Sequence, residues 1–349
     1  MGNQASKVIE KSKERKEKRS RTNRRRSTIT VGSRSNASIA MTTANYDWID
    51  DKQQQQQVPA HVMQPVDSIP KSRRQSITEF FSGRKKSIAP DDFKELDRLQ
   101  RQHYLLKSAR KNNAWTELDS DSITIVDIGT GNGIWAFEMA SERSNSTIIG
   151  LDLRPPSEQH GKPRNLTFKE ADITEKWPLE NDSVDFIFQR SMGQSIPNDK
   201  WTHVLSEMLR VLKPGGSIEL IEADLWHHNP GPVQRAFDEF YQNHCSEQGL
   251  DFAFTEAIEK ELDSGGFVDL NHRTLDIPIG EWPQDSELKQ FGFINKEIQK
   301  AFLRNRRSFY ISKWGIQPDD YELAVQEVLT EFDDYHGFTR FNCWMAKKP

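Results

Sequence analysis

The sequence predicts an α/β fold, a mostly parallel sheet covered by helices on both faces. Three observations carry this. β-branched and aromatic runs alternate with helical spacing between residues 123 and 221. A glycine cluster at 129, 131 and 133 stands directly between the first such run and the first helix behind it. No apolar stretch approaches the ~20 residues that a membrane-spanning helix needs. With 349 residues, 35% of them hydrophobic, the chain has material for one large core or two small ones.

The elements follow in order. Asp91 and Asp92 suit a helix N-terminus, and Phe93, Leu96, Leu99, His103 and Leu106 continue at helical spacing. Residues 123–126 read as a strand ending at Asp127, and 134–141 as a helix. Residues 147–151, 165–169 and 184–188 read as strands two to four. A helix over 201–212 stops at Lys213-Pro214-Gly215-Gly216, before a fifth strand at 217–221. Beyond 225 the spacing predicts helices at 232–247, 254–262, 283–312 and 318–334. Strands at 267–277 and 338–345 would complete a sheet of seven.

The first 90 residues differ in kind. They hold 19 Lys+Arg and 8 Asp+Glu, a net +11, against −15 for residues 91–349. Residues 53–57 are a glutamine run, prolines recur, and no apolar period is sustained, so 1–90 reads as a disordered basic tail. Residues 91–349 then form the folded domain, divided into 91–225 and a helical cap with the last two strands at 226–349. No secretory leader is recognisable, and Cys245 and Cys343 are too few for a disulfide framework or a zinc cluster. The expectation is a soluble, intracellular chain.

Asp127-Ile128-Gly129-Thr130-Gly131-Asn132-Gly133 is the sharpest local signal. Glycines let a backbone turn tightly and approach a ligand closely, and the helix N-terminus behind them favours an anionic group. Two parses are open. Gly131-x-Gly133-x-x-Ala136 with Asp152 further on matches a dinucleotide fingerprint. Acid-x-Gly-x-Gly-x-Gly starting at Asp127 matches the motif of class I S-adenosylmethionine-dependent methyltransferases. Asp152 at the end of strand two serves either parse, and the second is favoured by Asp172 after strand three and the 209–216 helix-to-strand turn. Within that class, residues 129–136, 185–190 and 213–222, with Gln102-His103, resemble fungal regulator methyltransferases of the velvet-complex type.

The resemblance implies a Rossmann-like sheet whose last strand is antiparallel, with 91–225 as the donor-binding core. It implies S-adenosylmethionine as cofactor and possible regulatory protein partners. Gly129, Gly131 and Gly133, with Thr130, would cradle the methionine end. Asp127 would hold its amino group, Asp152 with Leu153 the ribose, and Asp172 with Ile173 the adenine. Gln189 and Arg190 would lie beside the methyl group. Methyl transfer by in-line displacement asks mainly for alignment and exclusion of water, so no catalytic group is obligatory. Glu222 and Arg190 are the candidates, although Glu222 at a strand end can equally pair with Arg190. Asp224, His227 and His228 are weaker candidate bases, the histidine pair reading first as an exposed loop before Pro230. Trp226, Phe237, Phe240 and Tyr241 would wall an acceptor pocket or simply form core. His103 would either reach the donor or pack within its helix.

Met1-Gly2-Asn3-Gln4-Ala5-Ser6 matches an N-myristoylation signal at Gly2. One acyl chain binds membranes marginally, and the Lys and Arg residues of 11–26 would add attraction to an anionic surface. The expected location is the cytoplasm, with the cytoplasmic face of a membrane as one option; the same residues also suit nuclear import or nucleic acid. Ser27 and Ser87 follow basic triplets and Ser76 follows Arg73-Arg74-Gln75, and phosphates there would weaken attachment. Three functions stay open on the residues: a methyltransferase with an unidentified acceptor, a catalytically silent donor-binding regulatory subunit, and an NAD-dependent oxidoreductase.

Overall fold

The computed structural model describes residues 8–18, 90–156 and 162–349. The strands are β1 (Thr124–Ile128), β2 (Thr147–Asp152), β3 (Leu166–Glu170), β4 (Val184–Arg190), β5 (Leu212–Ala223), β6 (Val268–Pro278) and β7 (Phe338–Lys347). They form one sheet in the order β3-β2-β1-β4-β5-β7-β6. β1 to β5 pair in parallel, and β7 runs antiparallel to both of its neighbours. The sequence-based expectation of seven strands, with the last reversed, is met.

The central strands are mostly apolar on both sides because both of their faces are covered. Successive side chains point to opposite faces. Ile125, Phe186 and Phe188 therefore pack on one side, with Trp135, Met139, Leu105 and Leu106. Val126, Ile128 and Ile187 pack on the other, with Trp201, Val204 and Met208. The helices of these layers are α2 (Pro90–Arg110), α3 (Ile134–Glu142), α4 (Trp201–Val211) and α6 (Ile258–Gly265). Chain order reverses between β1 and β4, which opens a crevice at the carboxyl ends of those strands.

A third apolar cluster belongs to the cap. It joins α5 (Pro232–Glu247), α8 (Arg307–Trp314) and α9 (Pro318–Asp334) through Phe237, Phe240, Tyr310, Trp314, Tyr321 and Phe332. α7 (Ser286–Asn305) bridges the cap to the sheet, with Asp285 capping it by accepting the Leu288 amide at 2.9 Å. The helix expected over 283–312 is therefore two, broken at Arg306. The one expected over 254–262 is a short turn at Phe254–Glu256 followed by α6.

Residues 8–18, which composition assigns to the disordered tail, form a helix, α1. Val8 is fully buried in the cap cluster. Arg15 pairs with Glu327, Glu331 and Asp334 and donates to the Tyr335 hydroxyl at 2.9 Å. Those acids lie in or beside α9, some 300 residues away, so nothing local in the sequence announces the partner. Gly2, the Arg24–Arg26 run, and Ser27, Ser76 and Ser87 lie outside the described residues. Among the described residues no helix is long and apolar enough to cross a membrane.

Candidate functional site

The crevice at the ends of β1 and β4 is lined by Asp127, Gly129 to Asn132, Trp135, Phe188, Arg190 and Ser191, with Leu99 and Gln102 of α2 across it. Its floor is backbone. Gly129, Gly131 and Gly133 have φ of 65°, 58° and 75°, the left-handed region that side chains make costly. A Cβ at Gly131 would meet no atom closer than 3.9 Å, so the loop faces open space there. The Asp152 carboxylate accepts the Gly131 amide at 2.9 Å and the Arg154 amide at 2.9 Å, which ties the end of β2 to the loop.

Asp127 is buried and accepts the Thr130 hydroxyl at 2.5 Å. Burial pushes its carboxyl up to about 7. Arg190, half-buried at the crevice wall, is lowered to about 10 by desolvation, with Asp127 and Glu222 opposing that loss. Its Nη1 lies 3.1 Å from His103 Nδ1. A buried acid held near neutrality, an open glycine loop and a helix N-terminus (α3) suit a ligand end that carries both an ammonium and a carboxylate.

A second cavity of about 230 Å³ adjoins the crevice and shares Leu99, Gln102 and Ser191 with it. Its walls come from α2, α5, α7, α8 and α9 and the ends of β5 and β7, and they include Phe237, Phe302, Tyr310 and Phe341. Glu222 lines it. Ser191 adopts φ 58°, which turns the chain after β4 so that the Met192 and Gly193 amides donate to Glu222 at 2.9 and 3.0 Å. Burial raises the Glu222 carboxyl to about 7, against those amides and Gln189.

Several expected residues sit differently. Glu222 is hydrogen-bonded to those amides, not paired with Arg190, whose nearest described partner is His103. Gln189 is fully buried between strands, donates to Glu222 at 3.3 Å and lines neither cavity. Asp172 is exposed one turn past β3, where it accepts the Thr174 amide and hydroxyl; Ile173 is buried in the core, and Leu153 is half-buried beside Asp152. His227 and His228 are not an exposed loop. His227 lines the second cavity, 2.9 Å from Asp238, and His228 lies 2.8 Å from Asp224. Asp238 raises His227 against the opposing effect of burial. Of the aromatic stripe, Trp226, Phe237 and Tyr241 reach the cavity, whereas Phe240 stacks on Trp314 within the core. Gln234, Gln299 and Phe302 were not legible as site residues, since the chain brings them in from separate helices.

Residues 125–216, from β1 into β5, match the family model described as "Methyltransferase domain". Over those residues the chain carries a methyltransferase domain. The acid-led parse of the glycine loop therefore holds, and the dinucleotide parse does not. The N-methyltransferase gliN of Aspergillus fumigatus is 25% identical over 268 residues, covering 73% of this chain and 94% of its own. Methyltransferase pytC of Aspergillus terreus is 28% identical over 274 residues, covering 74% and 82%. The secondary metabolism regulator LAE1 of Cochliobolus heterostrophus is 28% identical over 277 residues, covering 74% and 89%. S-adenosylmethionine is the methyl donor, and the crevice residues fit its amino-acid end.

Proposed function

We propose that this methyltransferase acts on a nitrogen nucleophile carried by a compact, largely apolar body held in the second cavity. The observation that carries this is the contiguity of the two cavities at Ser191, with the Glu222 carboxyl facing the acceptor side. At about 230 Å³ the cavity suits a small molecule or one side chain, below the ~300–1,000 Å³ of drug-sized pockets. Its aromatic walls offer an apolar and cation-tolerant surface. The relative gliN, an N-methyltransferase, supports the nitrogen reading.

S-adenosylmethionine supplies an electrophilic methyl group on a sulfonium and leaves as a neutral thioether. This chain's residues do the rest. The glycine loop and Asp127 hold the ammonium end, Arg190 the carboxylate, and Asp152 with Leu153 the ribose. The second cavity would hold the acceptor with its lone pair toward the Ser191 opening, where the donor would offer its methyl group. The nitrogen's proton passes to Glu222, whose value near 7 suits proton transfer at neutral pH. Glu222→Gln is expected to lower kcat about 100-fold with the donor Kd within twofold, read from labelled-methyl transfer to a fractionated small-molecule extract.

A second reading, a donor-binding regulatory subunit without turnover, is favoured by the regulator named LAE1 among the relatives. Donor binding with no labelled product in either the small-molecule or the protein fraction would establish it. For location, we propose acylation at Gly2 with a basic segment at an anionic membrane. Lys13 and Arg15 of that segment face acids of the α9 region, so their membrane contribution requires α1 to leave the cap.

A further inference from the structure

Among the described residues lining the donor crevice, Arg190 is the only cation. Its direction is fixed from behind. A guanidinium only donates, so the 3.1 Å contact with His103 Nδ1 requires that nitrogen to carry a lone pair. The ring proton then sits on Nε2, 3.0 Å from Glu138 Oε2. The same carboxylate oxygen accepts Lys107 Nζ at 2.7 Å, and Lys107 also reaches Glu142 at 3.2 Å. The line runs from the crevice through β4, α2 and α3 to the surface, and every link has one permitted donor and one permitted acceptor.

The groups around the ring agree with that tautomer. Arg190 faces it from β4 and Glu138 from α3, while Lys107 and the edge of Tyr104 stand on its own helix. The His103 side chain is wholly buried. Burial first, then Arg190, lowers it to about 4, so the imidazole is neutral at physiological pH. A neutral ring between two opposite charges relays orientation without adding charge of its own.

We propose that His103 is a positioning residue that aims the Arg190 guanidinium at the carboxylate of the methyl donor, and so makes the crevice selective for sulfonium donors that keep that carboxylate. This rests on the reading that Arg190 meets the donor carboxylate, and the test separates the two. Without His103 the guanidinium has no fixed acceptor behind it and swings toward Asp127 or Glu138. Glutamine in its place restores both links, since its carbonyl accepts from Arg190 and its amide donates to Glu138.

The experiment is calorimetric titration of the full chain with S-adenosylmethionine and with its decarboxylated analogue. His103→Leu should weaken the carboxylate-bearing donor about tenfold, the scale of one charge-assisted hydrogen bond. The decarboxylated analogue should bind within twofold of wild type, and His103→Gln should recover most of the loss. Glu138→Leu, at a partly exposed position, should give a smaller loss with the same selectivity, which keeps the test open if His103→Leu misfolds. Equal weakening of both donors by His103→Leu or Glu138→Leu, or no weakening, would overturn the proposal and leave His103 as packing. Equal weakening of both donors by Arg190→Met would instead overturn the carboxylate reading itself.

Discussion

The donor crevice is built mostly from main chain: three left-handed glycines, loop amides and the ends of neighbouring strands. The acceptor cavity is built mostly from side chains that five helices bring together. A backbone cradle recognises what every donor molecule shares, and it is specified by a handful of adjacent residues. A side-chain cavity recognises one acceptor and is specified by pairs far apart in the chain. The two regions should therefore fail differently when disturbed.

The largest effect should come from the cap core. Trp314 packs edge-on to Phe237 and stacks on Phe240, and it is 2% exposed. Trp314→Ala should cost about 3–5 kcal/mol of stability, seen as a lower midpoint in urea. Donor affinity below the transition should fall much less than turnover, because the glycine loop does not touch this cluster. A parallel loss of both would mean the two regions do not fail separately.

Gly131→Phe should do the reverse. A side chain there fills the space the donor's amino-acid end takes and strains a residue at φ 58°, at about 1–2 kcal/mol. Calorimetry should show donor affinity lowered at least 100-fold, with the cap's tryptophan environment unchanged by near-ultraviolet circular dichroism. Binding within a few-fold of wild type would place the donor elsewhere.

A smaller effect sharpens the electrostatics. Asp127 stands at about 7, above an ordinary carboxylate, so its protonated form is the one folding favours without donor. Its contribution to donor-free stability is present at low pH and is lost as pH rises from about 4 through 7. An incoming ammonium favours the carboxylate, so donor binding should release a proton and strengthen up to about tenfold per pH unit below 7. Titrations in buffers of different ionisation enthalpy should show that release in wild type and not in Asp127→Asn, while Glu222 remains in place in both.

The same contrast governs what the sequence disclosed. β1 was legible because a fully buried strand must be apolar on both faces, and the glycine loop because only glycine tolerates its dihedrals. Asp152 was legible because strand-end acids fall at a fixed register. Arg190 was found but given a different neighbour, since its link to His103 joins residues 87 apart through tertiary packing. His227 was read as exposed because its partner Asp238 is placed only when α5 folds back. Residues 8–18 were read as unstructured because the charged run hides Val8 and Ser12 on one face, and the acids that receive Arg15 lie at the other end of the chain.

The most direct measurement is a crystal structure of the full chain with S-adenosylhomocysteine. The amino-acid end should lie over Gly129 to Gly133 between Asp127 and Arg190, with the sulfur pointing past Ser191 toward the Glu222 cavity. A ligand lodged elsewhere, or one whose sulfur faces away from that opening, would contradict the account.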